Sequence, residues 1–392
     1  MTAVLPTALS VDHSGARAAS CTIALVGIHG YGTRHLAHLR TLQSRGEVEL
    51  VALADRRPPS SADEGPEIPF FDSLTAILAA GIRPDIVIVS TPIHTHEALA
   101  REAMAAGADV YVEKPPVTSL AQFDRLVLDA AAAGRSIQTG FQSLGSEGFS
   151  IIEEIVASGE IGDLLSVGAV GSWMRTDGYF RRSAWAGKRV LDGLDVMDGV
   201  VTNPLAHAVV GALRAGGAIH RDDVASITTE LFRAHDIDCD DTSVVRVHTV
   251  SGRTITCALT LCAPERSEPV IRLIGSAGQV DFLYALDEVV VTTAAGTRRQ
   301  VGGRTNLLDN LIRHRITGEA LLSPIEASGA FMRVLEAIRL APAPTRIIEE
   351  HIEWIGDGDD RHPLLPGIEA QLDRAVAGQK TFSELGLPWA VQ

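Results

Sequence analysis

Positive charge is scarce in this chain of 392 residues: 34 Lys and Arg stand against 49 Asp and Glu, a formal net charge of -15. An acidic chain without a long Lys/Arg run is a poor ligand for nucleic acid or an anionic membrane, and both partner classes are excluded. Cysteine is scarce too. Cys21, Cys239, Cys257 and Cys262 form no C-x-x-C pair and no Cys/His spacing of a zinc site, so no metal is expected. Four thiols in so long a chain make no disulfide framework, which favours a reducing compartment. Aromatics are only 5%, so the core must rest on Val, Ile, Leu and Ala. No apolar run is long enough to span a bilayer. Residues 1–20 lack the charged start and apolar stretch of a secretory signal, and are read as a disordered tail on a cytoplasmic protein. There is no internal repeat and no low-complexity segment.

What the chain does contain is a balance typical of folded domains: 46% hydrophobic and 21% charged residues. Its length suits roughly two or three domains. From Cys21 the pattern alternates short apolar runs with helical periodicities: Thr22–Val26, Glu47–Ala54, Asp85–Ser90, Asp109–Val112 and Ser136–Thr139 read as strands. Between them, Thr33–Ser44, Ser73–Ala80, His96–Ala106 and Ser119–Ala133 read as helices. Strands without a polar face, separated by helices, predict a doubly wound parallel sheet over 21–144. After about Leu144 the pattern changes. Residues 225–293 read as successive strands with turn signals, a largely antiparallel open sheet in a second α/β domain over 145–340. A polar loop is expected at 235–241, and 341–392 is expected to be an extension that packs back on the body.

The first strand runs into Gly27-Ile28-His29-Gly30-Tyr31-Gly32 and then a helix. Dinucleotide folds need glycines there for a tight turn, for approach of the backbone to pyrophosphate and for helix–strand packing. Gly27 and Gly32 fit the first and third positions; His29 stands at the middle one, with Gly30 directly after it. Asp55 ends the second strand, 23 residues after Gly32, where a ribose-binding acid belongs. The loop and Asp55 predict NAD as cofactor. Arg56 and Arg57 follow and keep NADP open, because a guanidinium can pair with a 2′-phosphate.

The third strand ends Ser90-Thr91-Pro92-Ile93-His94-Thr95-His96, and the fourth ends Val112-Glu113-Lys114-Pro115-Pro116. Together with the glycine loop, these segments resemble the glucose–fructose oxidoreductase and inositol dehydrogenase family, Gfo/Idh/MocA, over about residues 21–340. The resemblance implies a Rossmann domain followed by an open-sheet α/β domain, hydride transfer between NAD or NADP and a sugar, inositol or related polyol, and a homo-oligomer, dimer or tetramer, built on the open sheet. It implies that Lys114 touches the substrate hydroxyl near the nicotinamide. It places Thr91, Pro92, His94, His96, Glu113 and Gln142 with the glycine loop around the cofactor.

The family's second signature is an Asp followed four residues later by His. Here it reads Asn203-Pro204-Leu205-Ala206-His207, with Asn in place of Asp. Asn before Pro also reads as a helix N-cap with Pro in the first turn. His207 is the candidate base and Lys114 its partner, with Asn203 beside them; without an acid at 203, His207 is expected to stay neutral to lower pH. The segment Trp173–Asp198 is rich in rings and charges suited to a polyhydroxylated ligand, and Tyr179, Arg182 and Trp185 are its candidate substrate contacts. Two other functions fit the same motifs: an NAD-dependent glycoside hydrolase, and a non-catalytic dinucleotide-binding regulator.

Overall fold

The computed structural model describes residues 21–59 and 68–391; the tail expected over 1–20 lies outside the described residues. The N-terminal sheet consists of β1 (Cys21–Val26), β2 (Val48–Ala54), β3 (Phe70–Phe71), β4 (Ile86–Val89), β5 (Asp109–Val112) and β6 (Ile137–Thr139). All pairings are parallel, in the order β3-β2-β1-β4-β5-β6. The helices are α1 (Gly32–Ser44), α2 (Leu74–Ala79), α3 (His96–Ala105) and α4 (Leu120–Ala133). The pleat divides each strand between two cores. Ile23 and Leu25 join Leu36, Leu39 and Leu42 of α1 on one face. Ala24 and Val26 join Ala103 of α3 and Phe123 of α4 on the other. That is why β4, Ile-Val-Ile-Val, is buried at every position. The strand order reverses between β1 and β4, so a crevice opens at the carboxyl ends of these strands.

Beyond it come α5 (Gly148–Ser158), β7 (Leu164–Ser172), the single-turn α6 (Asp177–Arg181), the small hairpin β8 (Val190–Leu191) and β9 (Leu194–Asp195), and α7 (Ala206–Ala215). The strands β10 (Val224–Arg233), β11 (Thr242–Thr249), β12 (Thr254–Thr260), β13 (Val270–Gly275), β14 (Gly278–Leu283), β15 (Glu288–Thr293) and β16 (Gly296–Val301) follow. Then come α8 (Leu307–Thr317), α9 (Gly329–Leu340), β17 (Thr345–Arg346) and α10 (Ile368–Gly378). The second sheet has nine strands in the order β16-β15-β14-β13-β7-β12-β11-β10-β17. It is antiparallel except where β7 meets β12 and β10 meets β17. One face carries α5 and α7. The other is covered over β10 to β12 by α10 and by Phe382 and Trp389 near the C-terminus.

One feature departs from the sequence reading. Helix α8 returns to the first sheet: Leu307, Leu308 and Leu311 pack with Ile86, Ile88 and Tyr111. A cut at 144/145 therefore leaves part of the first layer in the second half of the chain. The polar loop expected at 235–241 is present, with Asp236 and Asp238 exposed and His235, Asp240 and Asp241 buried. Its acids satisfy main-chain N–H groups, which is what lets polar residues sit there.

Candidate active site

The glycine loop is built for close approach. Gly27 has φ +90, and a Cβ there would lie 2.4 Å from the Ser90 carbonyl oxygen. A Cβ on Gly32 would lie 1.9 Å from the Gly27 carbonyl oxygen, whereas Gly30, φ +60, has open space beside it. Helix α1 begins after Tyr31 with no side-chain cap and no acid in its first turn, which leaves its positive end available to an anion. The Asp55 carboxylate accepts from Ile28 N at 3.0 Å and from Arg57 N at 3.1 Å, so it fixes the loop's shape as well as ending β2. His29 Nε2 lies 3.3 Å from the Arg57 carbonyl. Ser90 Oγ and His94 Nδ1 are buried and make no hydrogen bond to protein. Burial, with Arg56 nearby, holds the His94 imidazole below its usual proton affinity. A cradle with an uncapped helix end and two orphaned polar atoms fits a dinucleotide.

Other predicted cofactor residues do supporting jobs. His96 is buried, and its Nε2 and Nδ1 face the carbonyls of Thr91 (2.8 Å) and Pro115 (3.1 Å). It ties two strand ends together and has no ring nitrogen left for a ligand, and because it opens α3 its side chain does not align with His94. Glu113 is also turned inward. Its Oε1 takes His35 Nε2 of α1 at 2.8 Å and its Oε2 takes Lys114 N at 3.2 Å. Gln142 donates to the Tyr111 hydroxyl, and Thr91 and Thr95 share a hydroxyl–hydroxyl bond of 2.6 Å beside Pro92.

Lys114 is half-buried at the end of β5. Its Nζ donates to Asn203 Oδ1 at 2.7 Å and to Asn203 O at 3.2 Å, which leaves one ammonium proton for another acceptor. Asn203 Nδ2 donates in turn to Asp198 Oδ1 at 2.5 Å, and Asp198 Oδ2 accepts from Gly187 N at 2.7 Å. Burial lowers the proton affinity of Lys114, against the pull of Glu113 and Asp198. Burial raises that of Asp198, against its hydrogen bonds and the charges of Arg182 and Lys114. The N-cap reading of Asn203 fails: α7 begins at Ala206 after Leu205, and the Asn203 amide is committed to Lys114 and Asp198.

His207 lies in the first turn of α7, with Ser143 Oγ 3.3 Å from its Nδ1 and the Phe141 ring edge-on at 5.9 Å. Its pKa is pushed down to about 3, first by burial and then by Lys114 and Arg304. The direction is that anticipated from an uncharged residue 203, but the causes are burial and two cations. In the tautomer with Nδ1–H donating to Ser143, Nε2 keeps a free lone pair.

The charges between 175 and 198 divide between two sides. Arg175, Tyr179, Arg182 and Trp185 stack on one another. Arg181 pairs with Asp359 and Lys188 with Asp238, facing a separate cavity of about 510 Å³ lined also by Phe180, Trp354 and Arg361. Arg189 donates to the carbonyls of Ile338, Arg339 and Ala341 at the end of α9.

Comparison with known proteins shows what the chain is similar to. Residues 21–141 match the GFO_IDH_MocA model, described as an oxidoreductase family with an NAD-binding Rossmann fold. Over these residues the chain is similar to the Gfo/Idh/MocA oxidoreductases. The chain is similar to inositol 2-dehydrogenase 1 of Saccharopolyspora erythraea, 26% identical over 69% of this chain and 77% of that protein. Against inositol 2-dehydrogenase of Gluconacetobacter diazotrophicus it is 30% identical over 38% of this chain, spanning less than half, 44%, of that protein. Its fold matches the WlbA dehydrogenase of Bordetella pertussis in complex with NADH and UDP-GlcNAcA, with a TM-score of 0.66 at 23% identity over 81% of this chain and 95% of that one. It also matches an NAD binding oxidoreductase from Klebsiella pneumoniae, with a TM-score of 0.68 at 18% identity over 82% and 96%.

Within this Gfo/Idh/MocA frame, three groups escaped the sequence reading. Asp198 was one charge among many, and only the fold shows it behind Asn203. Ser143 carries no motif. His235, Asp241 and Cys262 place ligand-type atoms within 4.8 Å of one another, drawn together by strands far apart in sequence. Asp241 Oδ2 already takes Ala234 N, His235 N and His235 Nδ1, while His235 Nε2 lies 2.9 Å from the Arg175 carbonyl. The cluster is a buried latch that anchors Arg175. Among the described residues, no helix is long and apolar enough to cross a membrane.

Proposed function

We propose that the chain is an NAD-dependent dehydrogenase that oxidises a hydroxyl of a sugar, inositol or related polyol, with Lys114 and His207 as the proton-handling pair. The observation that carries this reading is the pairing of Lys114 Nζ with Asn203 at the head of the helix that bears His207. The names of its inositol- and sugar-dehydrogenase relatives support the substrate class.

The glycine loop, the α1 N-terminus, Asp55 and the Ser90–His94 segment would hold NAD, which supplies the hydride acceptor when bound. The remaining ammonium proton of Lys114 donates to the substrate oxygen and stabilises developing alkoxide charge. His207 Nε2 accepts the hydroxyl proton, and its neutral state through the working pH range keeps that lone pair free. Asp198 and Asn203 fix Lys114 in place, and Ser143 fixes the imidazole tautomer.

The test is a sugar and polyol panel with NAD and with NADP, following NADH or NADPH absorbance. Net cofactor reduction that disappears in Lys114→Ala supports the reading. Glycoside cleavage without net reduction would replace it with the hydrolase, and cofactor binding without turnover on any substrate would replace it with a regulator.

A further inference from the structure

The segment that follows β7 carries an alternating stack of cations and rings, whose Arg182 charge acts on Asp198 behind Asn203. The Arg266 guanidinium lies 4.3 Å from the Trp173 ring centre, and that of Arg175 lies 4.7 Å from the same ring and 4.6 Å from Tyr179. Arg182 lies 3.5 Å from Tyr179 and 4.9 Å from Trp185. None of the three guanidiniums has a carboxylate partner among the described residues, and Arg175 Nε is buried without any hydrogen bond. Arg181, Lys188 and Arg339 around them are all ion-paired. Three unpaired cations in a row, in a chain of net charge -15, repel one another. Arg175 and Arg182 each give one Nη to a local main-chain carbonyl, and their other N–H groups are of the kind that grips a carboxylate or phosphate through paired hydrogen bonds.

Each end of the stack is linked to Lys114 or His207 through intervening residues. Two residues after Trp185, Gly187 N donates to Asp198, which holds Asn203 against Lys114. The charge of Arg182 is felt at Asp198. At the other end Arg266, with Glu268 beside it, acts on Tyr284, whose ring centre is 6.4 Å from that of His207. The His235–Asp241 latch fixes the backbone of Arg175 in the middle.

We propose that the substrate carries an anionic group, a carboxylate or phosphate, bound at the Arg182 end of this stack, so that the enzyme acts on an acidic sugar or polyol in preference to a neutral one. The inference rests on the dehydrogenase reading for its reactive hydroxyl and on the stack for its charge.

The experiment uses the full chain with NAD and matched sets of substrates: a neutral hexose, its uronic acid and its phosphate. Anion preference should appear as a kcat/KM for one acidic member roughly 10- to 100-fold above the neutral one, the usual scale for a hydrogen bond to a charged group. Which acidic member is preferred separates carboxylate from phosphate. The ratio should collapse toward one in Arg182→Gln and shrink with added salt, while Arg266→Gln, at the far end of the stack, should leave it nearly unchanged. Both side chains are exposed, so these variants retain the fold. Tryptophan fluorescence gives a readout independent of turnover: the acidic sugar should perturb it in the native chain and not in Arg182→Gln. Binding of the acid without turnover would overturn the dehydrogenase reading and leave the anion site standing. Equal turnover of neutral and acidic members, unchanged in ratio by Arg182→Gln, would overturn the anion site and leave the dehydrogenase. Absence of both binding and turnover of the acidic members would overturn the proposal outright.

Discussion

Asp198→Asn removes one charge with almost no change in shape, at a side chain that is buried and accepts two hydrogen bonds. Both partners, Gly187 N and Asn203 Nδ2, are donors. An asparagine offers one acceptor and one donor, so one contact becomes donor against donor, at a cost of about 1–3 kcal/mol. If Asn203 turns its amide to escape this, its NH₂ faces the Lys114 ammonium and the lysine loses its anchor. The charge effect is separable. Two hydrogen bonds and one amide lie between Asp198 and Lys114, roughly 7 Å, which at an effective dielectric of about 20 is an attraction of about 2 kcal/mol. Asp198 raises the proton affinity of Lys114, so its removal lowers that affinity further. Lys114 must be protonated to donate to the substrate oxygen. The alkaline limb of the kcat/KM profile for oxidation should therefore move to lower pH by about one unit, with kcat reduced on the order of 10-fold. NAD titration of the same variant should give a dissociation constant near the native one, since the glycine loop is untouched. A native alkaline limb in Asp198→Asn would show that the relay only packs.

Asn203→Asp should shift the acid limb upward, because a carboxylate there favours protonated Lys114 and His207; an unmoved limb would dissociate residue 203 from the proton chemistry. Trp185→Ala should raise KM for the substrate and leave the NAD dissociation constant little changed, and equal losses in both would misplace the 175–198 segment. Asp240 is buried, and burial raises its pKa to about 6, above an ordinary carboxyl. The folded state thus holds its proton more tightly than the unfolded one, and Asp240 costs stability as pH rises through that window, by at most about 3 kcal/mol. Asp240→Asn should raise the unfolding midpoint at pH 8 and change it little at pH 4; no gain at the higher pH would refute this.

The first sheet was legible because burial on both faces leaves no polar position in β4 and only Asp109 at the start of β5, and because Gly81, Gly107 and Gly134, each with positive φ, end their helices visibly. The strand ends were legible for the same reason, which is why Gly27, Asp55, Thr91 and Lys114 share one crevice. What escaped depends on side chains meeting across long sequence distances. Asn203-Pro204 carries a strong local cap signal, yet the helix starts later because the Asn amide bonds Lys114 and Asp198 instead. Local propensity gave way to a buried polar network. His96 and Glu113 sit in cofactor motifs but face inward, a choice made by the carbonyls and the His35 ring packed against them. The polar loop at 235–241 was legible from its composition, but not that Asp241 collects two main-chain N–H groups inside the fold. Phe70–Phe71 is too short to announce itself as a strand and forms only by pairing with Leu53 and Ala54.

The most direct test of the central claim is NADH formation on the best substrate of the panel by the native chain, Lys114→Ala and His207→Ala, with NAD binding measured on each. The account predicts turnover reduced by roughly 10²-fold or more in both variants, with NAD still bound. Native turnover in His207→Ala would leave Lys114 as the sole proton-handling group, and native turnover in Lys114→Ala would contradict the account at its centre.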